Sequence, residues 1–203
     1  MDNLQANEGT RQLYDVILAD PPWPYNFSGT RNKDVPDDYE TMKIEDICNL
    51  PIPASDNAVL FLWACWPLLY ETKKVIEAWG FEYKTIGWVW VKANKSGFGF
   101  FTGMGFYTRS NTEPCLFAVK GKTMNVANMG IQSLIYAPVR EHSRKPDEQY
   151  VKIEKLYPNA NYLELFARRN RKGWSAFGNE VKDTIELVPS ENPVTRTDAH
   201  RIG

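Results

Sequence analysis

One short segment constrains this chain more than any other. Tyr14–Ala19 (YDVILA) is a run of six mostly apolar residues, and Asp20-Pro21-Pro22-Trp23 follows it at once. The run is too short for a typical helix and ends in a turn signal, so it reads as a buried strand. The two prolines fix φ near about −65° and carry no N–H, which stops the strand at Ala19. Further strand-length segments recur at Ala58–Ala64 (AVLFLWA), Thr85–Lys92 (TIGWVWVK), Pro114–Val119, Ser133–Val139, Tyr162–Phe166 and Trp174–Phe177. Helix signals lie between them. A short helix fits within Thr41–Leu50, stopped by Pro51 and Pro53. A second runs from Pro67 to Trp79 and closes at Gly80, and a third runs from Pro146 to Tyr157. Strands alternating with helices argue an α/β fold built on a mostly parallel sheet. In such sheets ligands bind at the carboxyl ends of strands, and Asp20 occupies one such end while Arg168 follows another.

The length of 203 residues suits one domain with a substantial core. A polar lead-in (1–13) and a polar tail (181–203) flank the patterned region, 14–180. A net charge of −1 gives no global attraction to nucleic acid, so any such attraction must be local. Cys48, Cys65 and Cys115 are odd in number and widely spaced. With His142 and His200 they form no metal-ligand pattern, so free thiols and no metal are expected. No apolar run approaches the ~20 residues of a membrane span, and the N-terminus lacks a secretory core, so a cytoplasmic location is expected. The segment 24–38, rich in Asn, Gly and charged residues, reads as a mobile loop beside the site. The Gly- and Phe-rich stretch 93–111 is long for a connection in a compact domain, which marks it as functional or disordered.

Asp20-Pro21-Pro22-Trp23 is a rigid turn, but its chemistry also suits a planar amine. The carboxylate and the proline carbonyls are acceptors for an NH₂ group, and the Trp face offers a stacking surface. That combination fits methyl transfer to an exocyclic amine of a nucleobase. Arg144 and Lys145 precede a helix start, an unfavourable place for cations that suggests an anionic ligand. Glu164 sits in an apolar strand and needs a partner, for which Arg168 or Lys145 is available. Arg168, Arg169, Arg171 and Lys172 would form one positive patch for a polyanion. Trp63, Trp88 and Trp90 lie within strands and read as core.

In order along the chain, ADPPW (19–23), YETM (39–42), LFLWAC (60–65), WVK (90–92), NTEPCLFAVKG (111–121), SRKPDEQY (143–150), YLELFAR (162–168) and GNE (178–180) resemble the MT-A70 family of S-adenosylmethionine-dependent adenine-N6 methyltransferases. The resemblance covers about Tyr14 to Glu180. It implies a Rossmann-like methyltransferase sheet with helices on both faces. The catalytic strand precedes the cofactor strand, which is the permuted, beta-type motif order. It implies catalytic roles for Asp20, Pro21, Pro22 and Trp23, with the acid and the first proline carbonyl on the target amine. It implies S-adenosylmethionine contacts for Asp20, Lys145, Glu164, Arg168, Asn170, Asn179 and Glu180. Tyr39, Glu113, Lys145 and Trp23 would meet the substrate base. Three departures stand out: Arg144 replaces a frequent histidine, Glu180 replaces a glutamine, and no acid N-terminal to the catalytic strand matches.

The resemblance implies an enzyme acting on adenine in nucleic acid, DNA ahead of RNA, in a bacterial or phage setting. A base paired in a duplex must be flipped out before its amine can react. Two other readings remain: a catalytically silent nucleic-acid-binding subunit, and an enzyme that methylates a protein glutamine amide. The apolar 97–107 loop offers a surface for a homodimer or a partner subunit.

Overall fold

In the computed structural model, the described residues are 12–24, 41–103, 105, 107–141, 144–182 and 184–188. Tyr39, nearly all of the 24–38 loop and most of the two flanking segments lie outside them. Seven strands form one sheet: β1 (Tyr14–Ala19), β2 (Ala54–Trp63), β3 (Glu82–Ala93), β4 (Thr112–Lys120), β5 (Leu134–Pro138), β6 (Tyr162–Leu165) and β7 (Trp174–Phe177). Their order is β5-β3-β4-β2-β1-β6-β7. β4 pairs antiparallel with both β2 and β3, and every other pairing is parallel. All seven strands expected from sequence are present, and β2, β3 and β4 extend beyond the expected bounds.

β1 lies between β2 and β6, which explains its near-continuous apolar sequence: both faces are covered. Ile17 and Ala19 point to one face with Leu60 and Leu62, where α1 (Ile44–Cys48) and α2 (Leu69–Ala78) contribute Ile47, Val75 and Ile76. Val16 and Leu18 point to the other with Phe61, Trp63 and Trp88, where α3 (Glu148–Leu156) contributes Tyr150 and Ile153. Helices thus cover both faces. The segment from Pro67 opens as a 3₁₀ turn, Trp66–Leu68, before becoming helical, and ends at Gly80 with φ +80°, a conformation suited to glycine.

Packing continues past Glu180. Thr184 donates its N–H to the Ala176 carbonyl, and Ile185 and Leu187 pack against the α1/α2-side core. The described start of the C-terminal segment is therefore docked on the sheet. In the 93–111 connection, antiparallel bridges join Ala93 to Phe100 and Gly103 to Ser110, leaving Phe98 and Tyr107 exposed.

From β1 the chain runs toward β2, and from β6 it runs the opposite way toward β7. The carboxyl ends of β1 and β6 therefore frame a crevice at a reversal of strand order.

Candidate active site

Asp20 leaves the end of β1 into this crevice. Its loop is tied down locally: the Trp23 N–H donates to the Pro21 carbonyl at 2.8 Å and the Met42 N–H to the Pro22 carbonyl at 2.9 Å. The expectation that both proline carbonyls stand open is therefore corrected. Pro22 anchors the return of the chain, and Pro21 keeps its second lone pair. Trp23 is only 6% exposed, and its indole N–H donates to the Trp63 carbonyl at 3.0 Å. It anchors the loop in the core and does not line the cavity described below.

Lys145, just ahead of α3, reaches back to β1. Its Nζ lies 2.8 Å from Asp20 Oδ2 and 3.4 Å from Glu113 Oε2, with the Trp63 ring centroid 5.5 Å away. Glu113 in turn takes Lys92 at 2.5 Å. Four alternating charges, Asp20–Lys145–Glu113–Lys92, thus link β1, the α3 approach, β4 and β3. Burial alone would discharge Lys145, but Asp20 and Glu113 outweigh it and hold the ammonium protonated. Burial also pushes Glu113 upward, and Lys145 and Lys92 more than reverse that. For Asp20 burial prevails: it lifts the carboxyl above its ordinary value against the pull of Lys145.

A cavity of about 290 Å³ opens beside this chain of charges, at the small end of the roughly 300–1,000 Å³ of small-molecule sites. Asp20, Lys145, Glu164, Arg168 and Glu180 all line it, five of the residues singled out from sequence. Of the others, Asn170 donates to the Lys182 carbonyl at 3.1 Å and Asn179 is exposed; neither lines the cavity. Glu113 acts behind the wall, through Lys145.

Glu164 has a different partner from those expected. The Tyr150 hydroxyl donates to it, at 2.9 Å to Oε1 and 3.1 Å to Oε2. Burial pushes the Glu164 carboxyl up to about 7, with Asp20 adding to the rise and the Tyr150 bond opposing it. Arg168 pairs with Glu180 at 3.5 Å. The single patch expected from Arg168 to Lys172 is also corrected: Arg171 grips Glu154 through two bonds of 2.9 and 3.0 Å, while Arg169 turns to Asp147. Arg144 and Lys145 both have acidic partners within the fold, so a cation ahead of α3 does not by itself require a ligand.

Two backbone features shape the wall. Phe166 turns off β6 with φ +60°, unusual for a residue with a side chain. Gly178 packs so closely on that turn that a Cβ would fall 2.3 Å from the Ala167 carbonyl oxygen. The close approach brings Glu180 to Arg168. Sequence reasoning missed Trp63 as cavity lining, Gln149 and Tyr150 on α3, and Lys92. The signal for Gln149 was its place on the inner face of α3; it is 3% exposed and accepts the Trp63 indole N–H at 2.7 Å.

All three cysteines are free, and burial pushes the Cys65 thiol up to about 11. Among the described residues no helix is long and apolar enough to cross a membrane.

A family model described as MT-A70 matches residues 14–180. The type II methyltransferase M.MunI of Mycoplasma sp is 31% identical over 204 residues, covering 91% of this chain and 84% of that protein. The human N(6)-adenosine-methyltransferase catalytic subunit METTL3 is 33% identical over 180 residues, covering 86% of this chain and 29% of that protein. A probable N(6)-adenosine-methyltransferase MT-A70-like protein of Oryza sativa is 33% identical over 179 residues, covering 86% of this chain and 24% of its own length. The chain thus spans most of the type II methyltransferase but under a third of these N(6)-adenosine-methyltransferases. With a family model matched across all seven strands of the sheet, this chain belongs to the MT-A70 family.

Proposed function

We propose that this protein is an S-adenosylmethionine-dependent methyltransferase acting on the N6 amine of adenine in nucleic acid, with DNA the favoured substrate. The observation that carries this reading is the 2.8 Å contact between Lys145 and Asp20 at the cavity. It places a proline-stiffened carboxylate beside a site of small-molecule size. The preference for DNA rests on the likeness to a type II methyltransferase, 31% identical over 91% of this chain.

The donor set fits a cofactor carrying both charges. Asp20, Glu164 and Glu180 would meet its cation and hydroxyls, and Lys145 and Arg168 its carboxylate. When bound, S-adenosylmethionine supplies an electrophilic sulfonium methyl. The residues of this chain handle the nucleophile. Lys145 engages Oδ2 of Asp20, which fixes the carboxylate and directs Oδ1 to accept from the adenine amine. The Pro21 carbonyl offers a second acceptor. Together they draw the amine lone pair out of ring conjugation and hold the nitrogen for in-line attack. Asp20 need not be a strong base, because the amine proton becomes acidic as the new N–C bond forms.

The intact charge network favours an enzyme over a silent binding subunit. The test is to incubate the protein and cofactor with duplex DNA, single-stranded DNA and RNA, then measure nucleosides by mass spectrometry. N6-methyladenine should appear with the native chain and vanish in Asp20→Ala, whose fold is checked by thermal melting. Full activity of Asp20→Ala would overturn the assignment, and product from RNA alone would overturn the DNA preference.

A further inference from the structure

Outside the catalytic network, the most crowded set of charges surrounds Asp147, the residue just before α3. Arg140 Nη1 lies 2.7 Å from Asp147 Oδ2 and Arg144 Nη2 3.3 Å from the same oxygen. Arg169 contacts the other oxygen from the turn after β6. Three guanidiniums therefore share one carboxylate. The other acid in the group is Glu141, paired with Arg144 at 2.9 Å and 71% exposed in its side chain. Three cations against two carboxylates leave one positive charge over. Two more features mark the group as strained in its pairing: Asp147 Oδ1 is buried without a hydrogen-bond partner although Arg169 lies against it, and a donor is left over as well. The Arg144 Nε is buried without a hydrogen-bond partner. Arg169 is also held below its ordinary value, by burial first and then by the neighbouring Arg144, Arg140 and Arg171.

The location gives this surplus a use. Arg144 and Arg169 line the cavity that holds Asp20 and Lys145, and the side chains of Arg140, Arg144 and Arg169 are 29%, 30% and 40% exposed. Arg144 and Arg169 form a solvent-reachable part of its rim, and Arg140 adjoins them through Asp147. We propose that Arg140, Arg144 and Arg169, gathered on Asp147, form a phosphate site that holds one phosphodiester of the substrate strand beside the reacting adenine. A phosphodiester carries a single negative charge, which matches the surplus, and the planar guanidinium fork suits its oxygens. This inference rests on the nucleic-acid reading above and adds which part of the strand is gripped and by what.

The experiment compares the full chain with Arg140→Gln, Arg169→Gln and Asp147→Asn. Fluorescence anisotropy with a labelled adenine-containing oligonucleotide is measured from 50 to 200 mM NaCl, alongside calorimetry with S-adenosylmethionine and methyl-transfer kinetics. Each arginine variant should weaken oligonucleotide binding several-fold and lower the log–log salt slope by about one. The loss should appear in the KM for the strand, with cofactor affinity kept within about twofold. Asp147→Asn removes a competing carboxylate and should tighten oligonucleotide binding, an effect opposite in sign to that of a merely structural acid. If an arginine variant melts early, Asp147→Asn alone still decides. Unchanged binding and slope across the set would overturn the site. So would weakened cofactor binding with an intact salt slope, since the arginines would then serve the cofactor. A native chain that methylates no nucleic acid defeats the earlier reading, whereas product formation with unaltered salt slopes defeats only this one.

Discussion

Glu164→Gln should change how stability depends on pH, by an amount the structure sets. In the folded protein burial lifts the Glu164 carboxyl from 4.5 to about 7. The proton is therefore held more tightly in the folded state than in the unfolded one. Below about pH 4.5 both states are protonated and the group is neutral in its effect. Between 4.5 and 7 the unfolded chain releases the proton while the fold retains it, so stability falls as pH rises. Above about 7 the carboxylate is ionised in both states and the penalty is constant. At about 1.4 kcal/mol per pH unit, the full penalty is about 3 kcal/mol. Glutamine keeps an acceptor for the Tyr150 hydroxyl and carries no charge. Urea unfolding of both proteins at several values from pH 4.5 to 8.5 gives the difference directly, with other titrating groups cancelling. Native stability should fall by about 3 kcal/mol relative to the variant across that range. A difference flat to within ~0.5 kcal/mol would refute the claim that Glu164 is buried beyond the reach of its partners. Should Glu164 accept hydroxyls of the cofactor, binding favours the ionised form, and cofactor affinity should rise with pH up to about 7 and then level off.

The other expectations are narrower. Lys92→Met removes the cation that balances Glu113, so Lys145 is drawn from Asp20 toward Glu113. The rate of methyl transfer should fall about tenfold, or ~1.4 kcal/mol, with cofactor affinity little changed, and Lys92→Arg should recover most of it. An equal loss in both variants would show that Lys92 does not act through charge. Gly178→Ala pushes a methyl group into the Ala167 backbone and should cost about 1–3 kcal/mol in urea unfolding while weakening cofactor binding; native-like stability would show that the turn after β6 yields freely.

The strands were legible because their signal is local. YDVILA and AVLFLWA are apolar on both faces because β1 and β2 are interior strands, with helices on either side. The acidic corner was legible for a similar reason, since Asp20-Pro21-Pro22-Trp23 is contiguous and its prolines fix their own geometry. What could not be read was pairing. Glu164 reads as a partner for a cation, yet a phenol from α3 reaches it, because Tyr150, 14 residues earlier, sits on the helix packed over that face of the sheet. Arg168, Arg169 and Arg171 looked like one patch because they are neighbours in sequence. Successive residues in a turn point different ways, and each found a different acid: Glu180, Asp147 and Glu154.

The same distinction explains how a chain with a net charge of −1 presents a site suited to a polyanion. Charge at a surface is set by which pairs close, and a sum over the sequence carries no such information. Arg171 and Glu154 close on each other through two bonds, so little of that arginine's charge is left for a ligand. Three arginines around Asp147 and Glu141 cannot do so, because two carboxylates cannot neutralise three guanidiniums. Asp20, Lys145, Glu113 and Lys92 alternate in sign and sum to zero, which suits a network whose task is to fix one carboxylate in place. On the proposed reading, a balanced interior beside an unbalanced rim would divide the work: the rim would attract the phosphate chain, and the interior would orient the amine without competing for it.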